Sequence, residues 1–345
     1  VINHSENRDG FFKDGFIIGE VGLAHDGSLG MAHAFIDAIA DAGADAVKFQ
    51  THIAKAEGTK HEKFRVNVFP QDATRQDYWK RTSFTKEQWA DLKKHCDDKG
   101  VFFMSSPFSL EAVELLKEIG VEGWKIGSGE TNNIPLLRKI ANFGDPVFLS
   151  TGMSYFDEIG RAVDLFNSAN APLLLMQCTN KYPCPPEFWG LNLIPEYIEK
   201  YKVPIGFSDH SGDVAAGLAA VAIGARAVEV HVTWHKSSFG PDVKASLTLD
   251  QLSALCRGVK DIVIARNNNI SKDSLADEMS EMRSLFTKSV VVNKDLPAGT
   301  KLTIENTDTR KPALGIPATS YDDVLGKTLL VAKAQDDYLK WADLK

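Results

Sequence analysis

The chain has no apolar run approaching the roughly 18 residues needed to span a bilayer, which argues against a membrane-embedded protein. Cysteine is sparse. The four present, Cys96, Cys178, Cys184 and Cys256, are scattered, and the five residues between Cys178 and Cys184 fit neither a zinc pair nor a redox CxxC, so a reduced, intracellular protein is expected. Positive charge is not in excess either. With a formal net charge of −7 there is no general footprint for nucleic acid, and an anionic ligand must be drawn by local lysines. The start, VINHSENRDGFFKDG, is too polar for a secretory signal, so the expectation is a soluble cytoplasmic protein with no membrane and no nucleic-acid partner. The first residue is not Met, which leaves the true N-terminus open. Also missing is a GxGxxG turn: the first apolar run leads into EVGLAHDGS, which argues against an open doubly wound sheet.

What is present is a repeat of short apolar run, polar cluster and helical stretch. The runs are FIIGEVG (16–22), AVKFQT (46–51), VFFMSS (101–106), WKIGSG (124–129), PVFLST (146–151), PLLLMQCT (172–179), PIGFSD (204–209) and AVEVHVTW (227–234). Between and after them, helical spacing marks Met31–Ala42, Lys86–Asp98, Leu110–Ile119, Ile134–Ala141, Phe156–Ser168, Leu193–Tyr201, Val214–Ile223 and Leu249–Arg266. Thr85 with Gln88, and Thr248 with Gln251, have capping-box spacing. Eight such units at this length predict an α/β protein built as a closed (β/α)8 TIM barrel over residues 1–266. The segment 53–83 is too long for an ordinary connection and holds His61, Phe64, Phe69, Tyr78 and Trp79, as either an active-site lid or a structural flap with its own cluster. A polar stretch at 267–283 reads as a linker or exposed helix. Beyond it, SVVVNKDLPAGTKLT, TRKPALGIP and VLGKTLLVAKAQDD predict a small β-rich domain over 284–345.

Catalytic residues of such barrels come from the C-terminal ends of the strands. Here those ends supply Glu20 with nearby His25, Lys48 and Gln50, Ser105 and Ser106, Lys125, Ser128 and Glu130, Ser150 and Thr151, Gln177, Thr179 and Asn180, Ser208, Asp209 and His210, and Glu229 and His231. Taken singly, a Ser or Asp before a helix is commonly an N-cap, and Asp209 is a candidate cap for the helix beginning near Val214. Repetition over eight strands is what points to a site. Lys48 and Lys125, with Ser106, Ser128, Ser150 and Ser208, make a basic, hydroxyl-rich cradle for a phosphate and a neighbouring carboxylate. His210 and His231, on adjacent strands, can approach one cation such as Mn²⁺, Fe²⁺ or Zn²⁺, or pair as core histidines. Glu20 sits inside an apolar strand, where a carboxylate is costly unless paired or functional; it is a candidate general base or electrostatic stabiliser.

The stretches FIIGEVGLAHDGS, GADAVKFQTH, SSPFS, KIGSGETNN, STGM, QCTNKYP, GFSDH, AVEVH and GPDVKASL closely resemble the sialic acid synthase family, and the tail with GIP and LGK resembles its antifreeze-like SAF (β-clip) domain. The resemblance runs from about Phe16 to the C-terminus. It implies condensation of phosphoenolpyruvate with N-acetylmannosamine to give N-acetylneuraminate and phosphate, with C–O cleavage. It implies a divalent metal at His210 and His231, Mn²⁺ first with Mg²⁺ or Co²⁺ as alternatives. Lys48, Ser106, Lys125, Ser128, Ser150, Asn180 and Ser208 match the phosphoenolpyruvate contacts, Glu20 the carboxylate near the reacting carbons, and Gln50, Tyr182 and Asp242 the amino-sugar side. A domain-swapped homodimer is implied too, in which a partner's small domain supplies an arginine from a KRP-like motif. Here that motif reads Thr309-Arg310-Lys311-Pro312, so Arg310 and Lys311 both stand as candidates, pointing to opposite sides if the chain is extended. Val230 also departs from the basic residue usual before the eighth-strand histidine. The alternatives are a legionaminic or pseudaminic acid synthase acting on a 2,4-diacetamido-6-deoxy hexose, a non-catalytic carbohydrate-binding barrel, and a two-histidine metal isomerase or hydrolase.

Overall fold

The computed structural model describes residues 11–59, 61–66 and 71–345. The polar start over residues 1–10 and Phe69 of the long segment lie outside the described residues. The chain divides into two compact units, Val1–Asn267 and Asn268–Lys345.

The first unit runs β1 (Phe16–Gly22), α1 (Leu29–Asp41), β2 (Ala46–Thr51), α2 (Ala54–Glu57), α3 (Arg75–Thr82), α4 (Lys86–Lys99), β3 (Phe102–Pro107), α5 (Leu110–Glu118), β4 (Gly123–Ile126), α6 (Ile134–Ala141), β5 (Val147–Ser150), α7 (Phe156–Ser168), β6 (Leu173–Cys178), α8 (Leu193–Tyr201), β7 (Ile205–Asp209), α9 (Val214–Ala222), β8 (Ala227–Thr233), β9 (Leu247–Thr248) and α10 (Leu249–Asn267). Strands β1 to β8 are parallel, each beside the next in sequence, and β8 returns to β1. That pairing closes the (β/α)8 barrel. Helix starts are satisfied locally: Thr85 and Gln88 form both bonds of a capping box, as do Thr248 and Gln251. Asp209 is not a cap. The helix after β7 is capped by Asp213, which accepts from the Ala215 N–H, while Asp209 accepts from the backbone N–H and hydroxyl of Ser211.

Period-2 alternation sorts every strand into two faces. Ile17, Val47, Phe103, Trp124, Leu149, Leu175, Phe207 and Val228 belong to the large cluster under the helices. Val230 joins them, so its departure from the family pattern lies behind the barrel wall. Residues of the other parity face the barrel interior, where Phe11, Phe16, Ile18, Ala46, Met104, Phe148, Leu174, Met176 and Ala227 form a separate apolar cluster. Phe11, just before β1, plugs this floor: its ring lies 4.1 Å from that of Phe102 and 5.8 Å from that of Phe16. Gly123 leaves room for it, since a Cβ there would lie 2.5 Å from the Phe11 ring.

The segment after β2 packs Tyr78 and Trp79 of α3 with Leu23 and Ala54, with Phe64 against them, so the flap does carry its own small cluster.

In the second unit, α11 (Lys272–Glu278) and α12 (Ser280–Phe286) precede an antiparallel pair, β10 (Ser289–Val292) and β11 (Thr307–Arg310), and the short α13 (Tyr321–Val324) follows. The later strand-like pieces form isolated bridges, such as Leu296 with Lys333 and Lys301 with Thr328, rather than continuous strands. These pieces add Leu302, Ile316, Leu329 and Leu339 to a core that Val290 and Val292 of β10 begin.

Phe11→Ala empties the barrel floor without touching a strand hydrogen bond, and is expected to cost about 3–5 kcal/mol. Urea unfolding of the variant beside the parent chain checks this; a loss under about 1 kcal/mol would mean that the floor is closed by other residues.

Candidate active site

Above the apolar floor, the inward positions turn polar on strand after strand. Register decides which meet. Glu20 of β1 stands level with Lys48 of β2 on one side and with His231 of β8 on the other, and Ser208 of β7 stands level with Glu229 of β8. The outcome is a buried network of four alternating charges. Lys48 Nζ lies 2.7 Å from Glu20 Oε1 and 3.7 Å from Glu229 Oε1, and Lys125 Nζ lies 3.2 Å from Glu229 Oε1. All four side chains are about 3% exposed. Hydroxyls complete it: Lys48 donates to Ser106 Oγ at 3.3 Å, Lys125 to Ser150 Oγ at 2.9 Å, and Ser208 Oγ to Glu229 Oε1 at 3.1 Å. Among the described residues, Oε2 of Glu229 has no hydrogen-bond partner.

The electrostatics follow from this packing. Burial works against the Glu20 charge, but His231, Lys48 and Lys125 outweigh it and hold the carboxyl well below the usual carboxylate range. Burial likewise opposes the Lys48 charge, and Glu20 and Glu229 overcome it, so this ammonium is held above its ordinary pKa. Glu20 is thereby a fixed anion.

His210 follows β7, and its Nδ1 lies 2.8 Å from the Thr179 carbonyl and 3.0 Å from the Thr179 hydroxyl. The carbonyl only accepts, so Nδ1 carries the proton and Nε2 presents its lone pair, 2.8 Å from the Tyr182 hydroxyl. Burial, with His231 close beside it, pushes the His210 pKa well below its ordinary value and keeps it neutral. The ring centroids of His210 and His231 are 5.3 Å apart, and His231 Nε2 lies 3.5 Å from Glu20 Oε2. A neutral imidazole anchored through its far nitrogen suits a divalent transition metal. Among the described residues no group of three or more His, Cys, Asp or Glu is arranged to hold an ion. Two imidazoles alone are an incomplete ligand set for such an ion.

Over this network lies a cavity of about 280 Å³. Of the residues expected at the site, Gln50, Ser128, Asn180, Tyr182, Asp242 and His231 line it, while Glu20, Lys48, Ser106, Lys125, Ser150, Ser208 and His210 are buried side chains of the strand ends. Arg65 also lines it, pairs with Asp242, and sets its guanidinium 4.2 Å from the centre of the Tyr182 ring. Asn180 donates to the Gly152 carbonyl. Arg310 and Lys311 belong to the second unit, where Arg310 pairs with Asp308 and Asp336 and Lys311 stands 5.0 Å from the Phe286 ring centre. The strand ends at Arg310, so the alternation that would send the two to opposite sides does not extend to Lys311.

Ser105 and His25, like Asp209, fail on geometry. Ser105 has the wrong parity and bonds Thr51 at 2.7 Å behind the barrel wall. His25 packs 4.7 Å from Phe84, accepts from the Gly27 N–H through Nδ1, and is not part of the network. Sequence reasoning gave no ligand role to Glu229 or Arg65. Glu229 has the same signature as Glu20, a carboxylate at an inward position of an apolar strand; Arg65 lies in an aperiodic loop and carries no such signal.

The NeuB family model matches residues 35–271, and the SAF domain model matches residues 287–345. The chain belongs to the NeuB family. It is 34% identical to N,N'-diacetyllegionaminic acid synthase of Campylobacter jejuni, over 95% of this chain and 99% of that protein. It is also 34% identical to N-acetylneuraminate-9-phosphate synthase of Homo sapiens, over 93% of this chain and 90% of that protein. The solved structure of N-acetylneuraminic acid (sialic acid) synthetase from Leptospira borgpetersenii, in complex with citrate, matches with a TM-score of 0.68 at 34% identity, covering 78% of this chain and 92% of that one. This NeuB-family chain is thus an enzyme of the synthase type. Among its described residues no helix is long and apolar enough to cross a membrane.

His25 yields a pH test. Burial, helped by the charge of His52, pulls its pKa from 6.5 down to about 3. Below pH 6.5 the unfolded chain takes up a proton that the folded chain refuses, so stability is lost as pH falls, at about 1.4 kcal/mol per pH unit. Relative to wild type, His25→Phe should gain stability by that slope between about pH 6 and pH 4, measured by urea unfolding; parallel pH curves would show that His25 is protonated in the folded state.

Proposed function

We propose that this enzyme condenses phosphoenolpyruvate with an N-acylated amino hexose, N-acetylmannosamine in the first instance, to give a nine-carbon sugar acid and inorganic phosphate. The observation that carries the reading is the buried Glu20, Lys48, Glu229 and Lys125 network with its hydroxyls, set beside a cavity of sugar size. Lys48 and Lys125, with Ser106, Ser128, Ser150, Ser208 and Asn180, bind the phosphate and carboxylate of phosphoenolpyruvate. Gln50, Tyr182 and Asp242 hold the amino sugar. The four charges cancel, so admitting a polyanion calls for added positive charge, which favours a divalent ion at His210 and His231, Mn²⁺ first and Mg²⁺ or Co²⁺ as alternatives. Such an ion supplies Lewis-acid polarisation of the aldehyde oxygen.

C3 of phosphoenolpyruvate attacks the aldehyde carbon, water adds at C2, and the tetrahedral adduct loses phosphate by C–O cleavage. Glu20, ionised and fixed by Lys48 and Gln50, stabilises positive character at C2. Holding both reactants in one orientation supplies up to about 7–11 kcal/mol of the barrier reduction.

A second reading has a specific observation in its favour. Leu23, Phe64, Tyr78, Trp79, Met153 and Pro241 give the cavity an apolar wall, which suits the acyl methyls and deoxy carbon of a 2,4-diacetamido-6-deoxy hexose. This agrees with the product named for the Campylobacter jejuni relative. A homodimer in which the partner copy supplies Arg310 or Lys311 belongs to the same proposal, and separate alanine substitutions tell the two residues apart.

The test is phosphate release from phosphoenolpyruvate after chelator treatment, with and without Mn²⁺, using N-acetylmannosamine and then the diacetamido hexose. Metal-dependent release with a nonulosonic acid product is expected; no release with either sugar sinks the proposal. Lys125→Met should lower kcat/KM for phosphoenolpyruvate about 100-fold, the scale expected when one member of a buried charge pair is removed from a binding site.

A further inference from the structure

An unbroken line of side chains joins the segment after β2 to the buried network. Glu57 Oε2, at the end of α2, lies 2.6 Å from His52 Nδ1, and His52 Nε2 lies 3.2 Å from Gln50 Oε1. Gln50 Nε2 donates to Glu20 Oε1 at 2.8 Å. The His52 ring is clamped between two aromatic faces: Trp79 of α3 at 3.7 Å with 4° between planes, and Phe108, just after β3, at 4.4 Å with 6°. Its backbone carbonyl accepts from Ser83 Oγ at 3.1 Å, and its side chain is 4% exposed.

The bond directions follow from the donor inventory. Ionised Glu20 can only accept, so the atom Gln50 turns toward it is the amide nitrogen. Gln50 Oε1 then faces His52, whose Nε2 must donate. One amide N–H is spent on Glu20, the carbonyl is spent on His52, and the second N–H remains in a residue that lines the cavity. We infer that His52 is a positioning residue for the amino-sugar substrate: it fixes the Gln50 amide so that this remaining N–H serves an acceptor oxygen of the sugar, a hydroxyl or acyl carbonyl. Through Trp79 and Glu57 it also ties the placement of that N–H to the packing of the flap. The inference rests on the reading above that Gln50 faces the sugar.

Two substitutions separate its hydrogen bond from its bulk. His52→Phe keeps a flat ring between Trp79 and Phe108 and deletes both polar contacts, whereas His52→Gln returns a donor close to the Nε2 position. His52→Phe is expected to raise KM for the amino sugar about tenfold, the effect of one ordinary hydrogen bond, with KM for phosphoenolpyruvate changed less than about twofold. His52→Gln should recover most of the loss. In a Gln50→Ala background, His52→Phe should add less than about twofold, because its route to the substrate is already gone. An equal penalty in both backgrounds, or a uniform loss toward both substrates, overturns the inference. If wild type releases no phosphate with any amino sugar, the proposed function falls by itself. The line of contacts is then judged by urea unfolding of the same variants: coupling between His52→Phe and Gln50→Ala upholds it, and additive effects refute it.

Discussion

The contact on which the site depends is the ion pair of Lys48 and Glu20, made possible by neighbouring strands that bring the two residues level inside the barrel. Neither charge is tolerable alone at that depth; leaving one partner buried without the other costs about 3–5 kcal/mol. Each is therefore a condition for the other, and both require Glu229 and Lys125 to continue the alternation. The network cannot relax toward the floor, because the next inward layer there is Ile18, Ala46 and Ala227. An apolar plug below and alternating charges above make the barrel a one-sided vessel, with its chemistry confined to the C-terminal ends of the strands.

Such a network is poised rather than satisfied. Among the described residues Glu229 Oε2 has no hydrogen-bond partner, and the two ammonium groups are already shared between two carboxylates. An anion entering here would have to compete with these carboxylates for the lysines, and would reorganise the charges already present. That competition gives the hydroxyls a distinct role. Ser106 and Ser150 each bond one lysine, and Ser208 bonds Glu229, so the hydroxyls of the strand ends hold the charged atoms in place.

The barrel was legible because eight apolar runs carry polar residues at one end, and the inward set was legible wherever parity could be counted from a strand. Glu20, Lys48, Lys125 and His231 follow from that count alone, and so does Glu229. Parity also shows why Ser105 and Asp209 do not belong, although they neighbour residues that do. The count stops where strands stop. Arg65, Tyr182 and Asp242 meet through irregular loops, and no spacing in the sequence encodes the cation over the Tyr182 ring. His52 shows the limit most clearly: it directly follows β2, and the rings that clamp it, Trp79 and Phe108, come from α3 and from the turn after β3, far along the chain.

This division between strand and loop has a chemical counterpart. The charged network is specified by register, and a one-residue slip of any contributing strand would turn its charge toward the helices, so it tolerates little change. The wall of the cavity comes instead from the flap and from the turn after β8, where Phe64, Tyr78, Trp79 and Pro241 are held by packing and obey no register. A family that keeps one bond-forming chemistry and varies its sugar would vary that wall. The Gln50 amide stands at the junction, bonded to the fixed network through Glu20 and to the variable flap through His52. A change in flap packing can therefore reach Glu20 without any substitution among the charged residues, because Gln50 is bonded to both sides.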